Sequence, residues 1–207
     1  MPTHKYKNQF IKFVRRECKR HNVEFKLIND EVIRDKDGTT YGGYFNHDPA
    51  ELAVATKVLY KDLLSTLAHE YCHMTQWIDK SPYFIGHRRF DSWDIVHRWL
   101  NGEDFKKITV KRSINTVRDC ELDCERRTIE IIKKHHLPIN IEEYCQEASA
   151  YIYFHNFMRI TRTWEYKRTP KIIISKMPTT LDGDYSKTPR KIMNLFKKHM
   201  HQVIVQG

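Results

Sequence analysis

The amino-acid sequence predicts an α+β fold in which a small, mostly antiparallel sheet comes first and long helices follow. Three observations carry that expectation. Short alternating runs broken by turn residues occupy residues 23–56, apolar residues at helical spacing dominate from Tyr60 onward, and strands and helices do not alternate. A chain of 207 residues, 40% hydrophobic and 12% aromatic, has material for a real core, and only seven glycines and seven prolines exclude fibrous and low-complexity classes. We expect one principal domain over residues 1–166 and an irregular C-terminal extension over 167–207.

Over residues 6–21, Phe10, Phe13 and Val14 recur at helical spacing among lysines and arginines, which predicts an amphipathic opening helix. Residues 23–28 alternate as a strand does, and residues 31–34 are expected to pair with them, with Asp37-Gly38 supplying the turn chemistry. Further strands are expected at 40–45 and, after an Asp48-Pro49 turn, at 51–56. Leu63, Leu67, Tyr71, Met74 and Ile78 mark one long helix. A shorter helix at 93–100 closes on Asn101-Gly102, and two long ones at 110–134 and 141–164 are separated by Leu137-Pro138. Pro170, Pro178, Asp182-Gly183 and Pro189 break up the tail before a short helix at 190–199.

The 36 basic residues outweigh the 26 acidic ones by ten, before any of the 12 histidines titrates. They are spread over four stretches, 5–20, 106–112, 159–168 and 187–198, and form no single block, so a nucleic-acid partner is compatible with the charge but not required by it. Cysteines 18, 72, 120, 124 and 145 are odd in number and form no C-x-x-C pair, which argues against a disulfide framework and a zinc ribbon and favours a reducing cytoplasm. No apolar run reaches the roughly 20 residues of a membrane span, and residues 1–20 lack a signal-peptide apolar stretch. The glycines form no phosphate-cradling loop, which disfavours nucleotide-driven chemistry.

The chemistry sits in the helix that starts near Lys61. His69-Glu70-Tyr71-Cys72-His73 is an H-E-x-x-H: residues four apart share a helix face, so both imidazoles reach one metal ion, while Glu70 lies about 100° further round and reaches a water on that metal. A catalytic zinc takes three protein ligands and leaves one position for water, so a third ligand is needed. On the 110–134 helix, Val110, Ile114, Val117, Glu121, Cys124, Thr128 and Ile131 step by three and four as a core stripe interrupted by one carboxylate. The adjoining row of Leu122, Glu125, Ile129 and Ile132 holds another. Two inward glutamates are costly to bury unless they are paired or bind a cation. His87, in the sequence Gly86-His87-Arg88-Arg89-Phe90, is the other third-ligand candidate and is expected in a loop. Cys120 and Cys124 read as packing residues. Tyr151 and His155 share a helix face, where aromatic packing is favoured over an oxyanion-stabilising role.

The run from Leu67 to Trp77, with Glu121-Leu122-Asp123-Cys124-Glu125-Arg126-Arg127, Leu137-Pro138-Ile139 and Tyr151-Ile152-Tyr153, resembles the metallopeptidases of tailed bacteriophages over roughly residues 10–165. More broadly it is similar to the gluzincins, in which a later helix carries E-x-x-x-D. The resemblance implies a zincin-like fold and a zinc metallopeptidase acting on peptide or protein substrates, in the host cytoplasm if phage-encoded. It also implies His69, His73 and Glu121 as zinc ligands, Glu70 as catalytic base and Glu125 as the acid supporting a ligand. Glu125 stands where the wider family has Asp, which leaves the roles of Glu121 and Glu125 exchangeable. Gly86-His87 also resembles the G-H-x-x-x-F context of SprT-like proteases, which digest proteins crosslinked to DNA; there His87 would be the third ligand. A basic nucleic-acid-binding module with a structural metal site is the alternative outside enzymes. For the enzyme, substrate backbone is expected to add to the strand at 51–56.

Overall fold

The computed structural model describes the backbone of residues 3–35, 38–84 and 86–205, and the side chains of 9–35, 38–84 and 92–200. It is α+β, with a small sheet near the N-terminus followed by long helices. Two compact units are formed, one from Met1–Pro82 with Arg126–Ile139 and one from Tyr83–Glu125 with Asn140–Gly207.

The first unit opens with α1 (Thr3–Arg20), whose Phe10, Val14 and Cys18 are buried, while Lys12, Arg15, Arg16, Lys19 and Arg20 line the exposed face. This is the amphipathic helix the spacing predicts, and Lys19 and Arg20 in the last turn suit the negative end of its dipole. Asn22 turns the chain at φ 55°, and β1 (Glu24–Ile28) follows.

The sheet departs from expectation. Strand β1 does not pair with residues 31–34; it pairs in parallel with β5 (Ala50–Ala55), Glu24 opposite Glu51 and Ile28 opposite Ala55. The short β2 (Ile33–Arg34) pairs instead with β3 (Thr40–Tyr41) in a separate antiparallel ribbon. The strand expected at 40–45 is thus divided, its second part being β4 (Gly43–His47), which runs antiparallel to β5 after a turn with a cis Asp48-Pro49 bond. Of the expected Asp37-Gly38 turn, Asp37 lies outside the described residues and Gly38 has φ 80°.

The sheet order is therefore β1-β5-β4, mixed and not mostly antiparallel. The physical reason lies in β5: Leu52, Ala53, Val54 and Ala55 are all buried, an unbroken apolar run of the kind that fills a central strand covered on both faces. A strand paired on both edges cannot take a third, so substrate backbone cannot add to β5 as expected; the sheet's edges are β1 and β4.

Helix α2 (Tyr60–Ile78) leaves the sheet through Thr56, whose backbone N–H and hydroxyl both donate to the Ile28 carbonyl. Leu63, Leu64, Leu67, Ala68, Tyr71, Cys72 and Met74 are buried, and Trp77 packs on Phe45 of β4 with ring centroids 5.7 Å apart. Gly43 sets the approach of β4 to α2: a Cβ there would lie 2.8 Å from Thr66 Cγ2 and 2.9 Å from both Ala53 O and Val54 Cγ1.

The C-terminal turns of α4 (Lys107–Lys134) complete this unit. Arg127 donates to Thr75 Oγ1 and Asp79 Oδ2 of α2, and His135 packs against Phe10 and Phe13.

The second unit contains α3 (Gly86–Leu100), the rest of α4, α5 (Ile141–Thr161), the four-residue α6 (Lys171–Ile174) and α7 (Arg190–Val205). Asn140 caps α5, its side chain accepting from the N–H groups of Glu142 and Glu143. That helix ends at Thr161, not Trp164, because Arg162 takes a left-handed conformation at φ 54°. Residues 167–207, expected to be irregular, contribute to the core: Ile173, Met177, Leu181, Tyr185, Ile192, Phe196 and Met200 are buried. Arg118 is buried too, donating to Asp119, Asn115, Asn156 and the Ser186 carbonyl. All five cysteines are buried, and none is joined in a disulfide.

Candidate metal centre

His69 and His73 both belong to α2, and one helical turn brings them together. Their rings stand 4.7 Å apart at 89°, and the two Nε2 atoms are 3.1 Å from each other. Two ring nitrogens that close need either a proton or a cation between them. A tetrahedral zinc with Zn–N bonds of 2.0–2.1 Å holds two nitrogens about 3.3 Å apart, so the pair fits that ion with little movement.

The second ring nitrogen of His73 is also engaged: Nδ1 lies 2.9 Å from Gln76 Oε1, one turn further along α2. The carbonyl oxygen accepts, so the proton sits on Nδ1. His73 is 3% exposed and Gln76 is fully buried. Glu70, next to His69 in the chain, is buried as well.

His69, His73 and Cys124 form a group whose ligand atoms all lie within 4.8 Å of one another, and this group can hold a metal ion. Cys124 stands on the unbroken α4, three residues before Arg127, whose guanidinium is tied to α2. From its spacing alone Cys124 reads as a packing residue. Its signal was there, in the same inward stripe as Glu121, but a buried thiol in such a stripe is ordinarily core. Gln76 was missed altogether, although an amide in a buried stripe requires a partner of its own.

Glu121 and Glu125 are inward-facing as their spacing predicts, 2% and 6% exposed. Glu125 has a partner that needs no metal: the Tyr144 hydroxyl donates to its Oε2. Burial raises the Tyr166 phenol above its ordinary range, with the charge of Glu125 adding to the effect.

Glu121 acts electrostatically on His155. Full burial lowers the pKa of this imidazole, and the charge of Glu121 opposes that shift. His155 Nδ1 donates to the Tyr151 carbonyl at 3.0 Å, and its ring packs on Tyr151 and Trp164, as the aromatic-packing expectation had it.

His87 lies in the first turn of α3 and not in a loop; its side chain is outside the described residues. No protein-family model, curated protein or solved structure matches the chain, so the residues of this site carry the functional argument.

Proposed function

We propose that the chain is a zinc-dependent metallopeptidase acting on a peptide or protein substrate. The observation that carries this reading is the convergence of His69 and His73 Nε2 to 3.1 Å on a helix face flanked by Glu70. When bound, zinc supplies Lewis-acid polarisation of the scissile carbonyl and acidifies the attacking water towards a pKa of about 7. His69 and His73 each give one nitrogen lone pair. Glu70 accepts the proton of the attacking water and returns it to the leaving amine. Glu121 on α4 would supply the third ligand, and Glu125, which accepts a hydrogen bond from Tyr144, would support the site. The edge strand β4, seated on α2 through Gly43 one turn before His69, offers the backbone groups along which an extended substrate adds.

A second reading has one observation behind it, the position of Cys124. A zinc held by His69, His73 and Cys124 would carry a thiolate, and one further protein ligand would leave no open position, which makes a structural site and not a catalytic one. Cobalt substitution separates the two. Three-ligand catalytic coordination predicts a cobalt spectrum that shifts on adding a hydroxamate inhibitor. Glu121→Ala should then weaken the metal strongly, and His87→Ala should leave it unchanged. An intense thiolate-to-cobalt band that Cys124→Ala abolishes, together with indifference to hydroxamate, would favour the closed structural site. Dependence on His87 with Glu121 dispensable would favour the SprT-like arrangement.

A further inference from the structure

We propose that Gln76 is the positioning residue of the metal centre, holding His73 in the Nδ1–H tautomer so that its Nε2 lone pair is always presented to the cation. The inference rests on the metal-centre reading above, and its geometry is contained within α2.

Gln76 Oε1 lies 2.9 Å from His73 Nδ1, and neither residue has appreciable contact with solvent. An oxygen acceptor facing a bare Nδ1 at that distance would set two lone pairs against each other with no water to intervene. The Nδ1–H tautomer is therefore strongly preferred. Nε2 of His73 must then be the unprotonated nitrogen, whether or not a metal is bound.

This fixes the neighbouring imidazole too. Without metal, the 3.1 Å contact between the two Nε2 atoms requires His69 to donate and His73 to accept. Cation binding requires the proton to leave His69 Nε2, while His73 changes nothing. One ligand is thus preset by Gln76 and the other rearranges. A carbonyl partner on the distal nitrogen also raises the basicity of the ligating one, the role that outer partners of metal-bound histidines commonly play.

The test compares the full-length parent with Gln76→Leu and Gln76→Glu. Zinc affinity is measured by chelator competition, zinc-free stability by thermal unfolding, and imidazole tautomers by nitrogen-15 NMR with and without zinc. Gln76→Leu should weaken zinc binding by roughly 10- to 100-fold, the range typical of outer-partner loss. Gln76→Glu, which can only accept, should keep the parent affinity. NMR should show His73 as the Nδ1–H tautomer in both states and His69 changing on zinc addition.

Parent-like zinc affinity in Gln76→Leu overturns the proposal. So does an equal loss in Gln76→Glu, because an essential amide N–H and not the oxygen would then be the active group. If the Leu variant does not fold, the tautomers of the parent decide, and a His73 protonated on Nε2 in the zinc-free protein overturns the proposal. A merely structural Gln76 would lower the zinc-free unfolding temperature without moving the tautomer. A parent that binds no zinc would instead bring down the metallopeptidase reading on which this one rests.

Discussion

Glu70 is the one acidic side chain of α2 that is both buried and adjacent to a histidine of the candidate metal centre, and under the proposed function it separates binding from chemistry in a single substitution. Gln is nearly isosteric and cannot take a proton from water. Glu70→Gln should therefore bind zinc as the parent does and unfold at the same temperature, but lose at least about 10²-fold in peptidase turnover. Equal turnover in a screen against unfolded protein substrates would remove Glu70 from the base role. The approach of His69 to His73 was legible in the sequence because an i, i+4 spacing is converted directly into proximity by a helix. The contribution of α4 was only half legible. Spacing showed that Glu121, Cys124 and Glu125 turn inward, and they do. It could not show that a Tyr144 hydroxyl on α5 would satisfy Glu125, or that the Cys124 thiol would stand within 4.8 Å of both imidazoles, because those outcomes depend on how separate helices meet.

At the scale of elements, the junction of β4 with α2 is the most constrained contact. A side chain at position 43 would meet Thr66, Val54 and the Ala53 carbonyl at distances that real Cβ atoms do not adopt, and the backbone oxygen cannot yield as a side chain can. Gly43→Ala should destabilise the protein by about 1–3 kcal/mol, the usual cost of overpacking, measured by denaturant unfolding at unchanged m-value. No loss of stability would show that β4 can lift off α2 freely. The contact of α1 with the end of α4 carries a pH dependence. Burial first, then the neighbouring charges of Lys134 and His136, lower the pKa of His135 from its ordinary 6.5. The unfolded chain therefore takes up a proton near pH 6.5 that the folded protein resists. This contribution to stability is present above that pH and is lost as pH falls below it. Between about pH 6.5 and 5, the unfolding temperature of the parent should fall more steeply than that of His135→Leu; parallel slopes would refute the assignment. The helices themselves were legible because periodicity is local. The pairing of β1 was not, because alternation marks a strand without naming its partner. The apolar run of β5, which fits a central strand, was the clue to its parallel neighbour.

For the whole molecule, none of the described helices is long and apolar enough to cross a membrane, and the sequence carries a net charge of +10. The fold of such a chain must come from its buried side chains, and metal binding adds to it through mass action. A ligand that binds only the folded state stabilises it by RT ln(1 + [L]/Kd), about 4 kcal/mol when free zinc is a thousandfold above Kd. For a chain of this length each kcal/mol moves the unfolding temperature by about 2–4 °C, so stripping zinc should lower it by on the order of 10 °C, and adding zinc back should restore it. The double variant His69→Ala, His73→Ala removes both imidazoles while leaving the buried apolar face of α2 in place. Its unfolding temperature should sit near that of the stripped parent and should not respond to zinc. A full zinc response in that variant would mean that the metal binds elsewhere, and the 3.1 Å approach of the two imidazoles would then be a hydrogen bond in the core of the protein and nothing more.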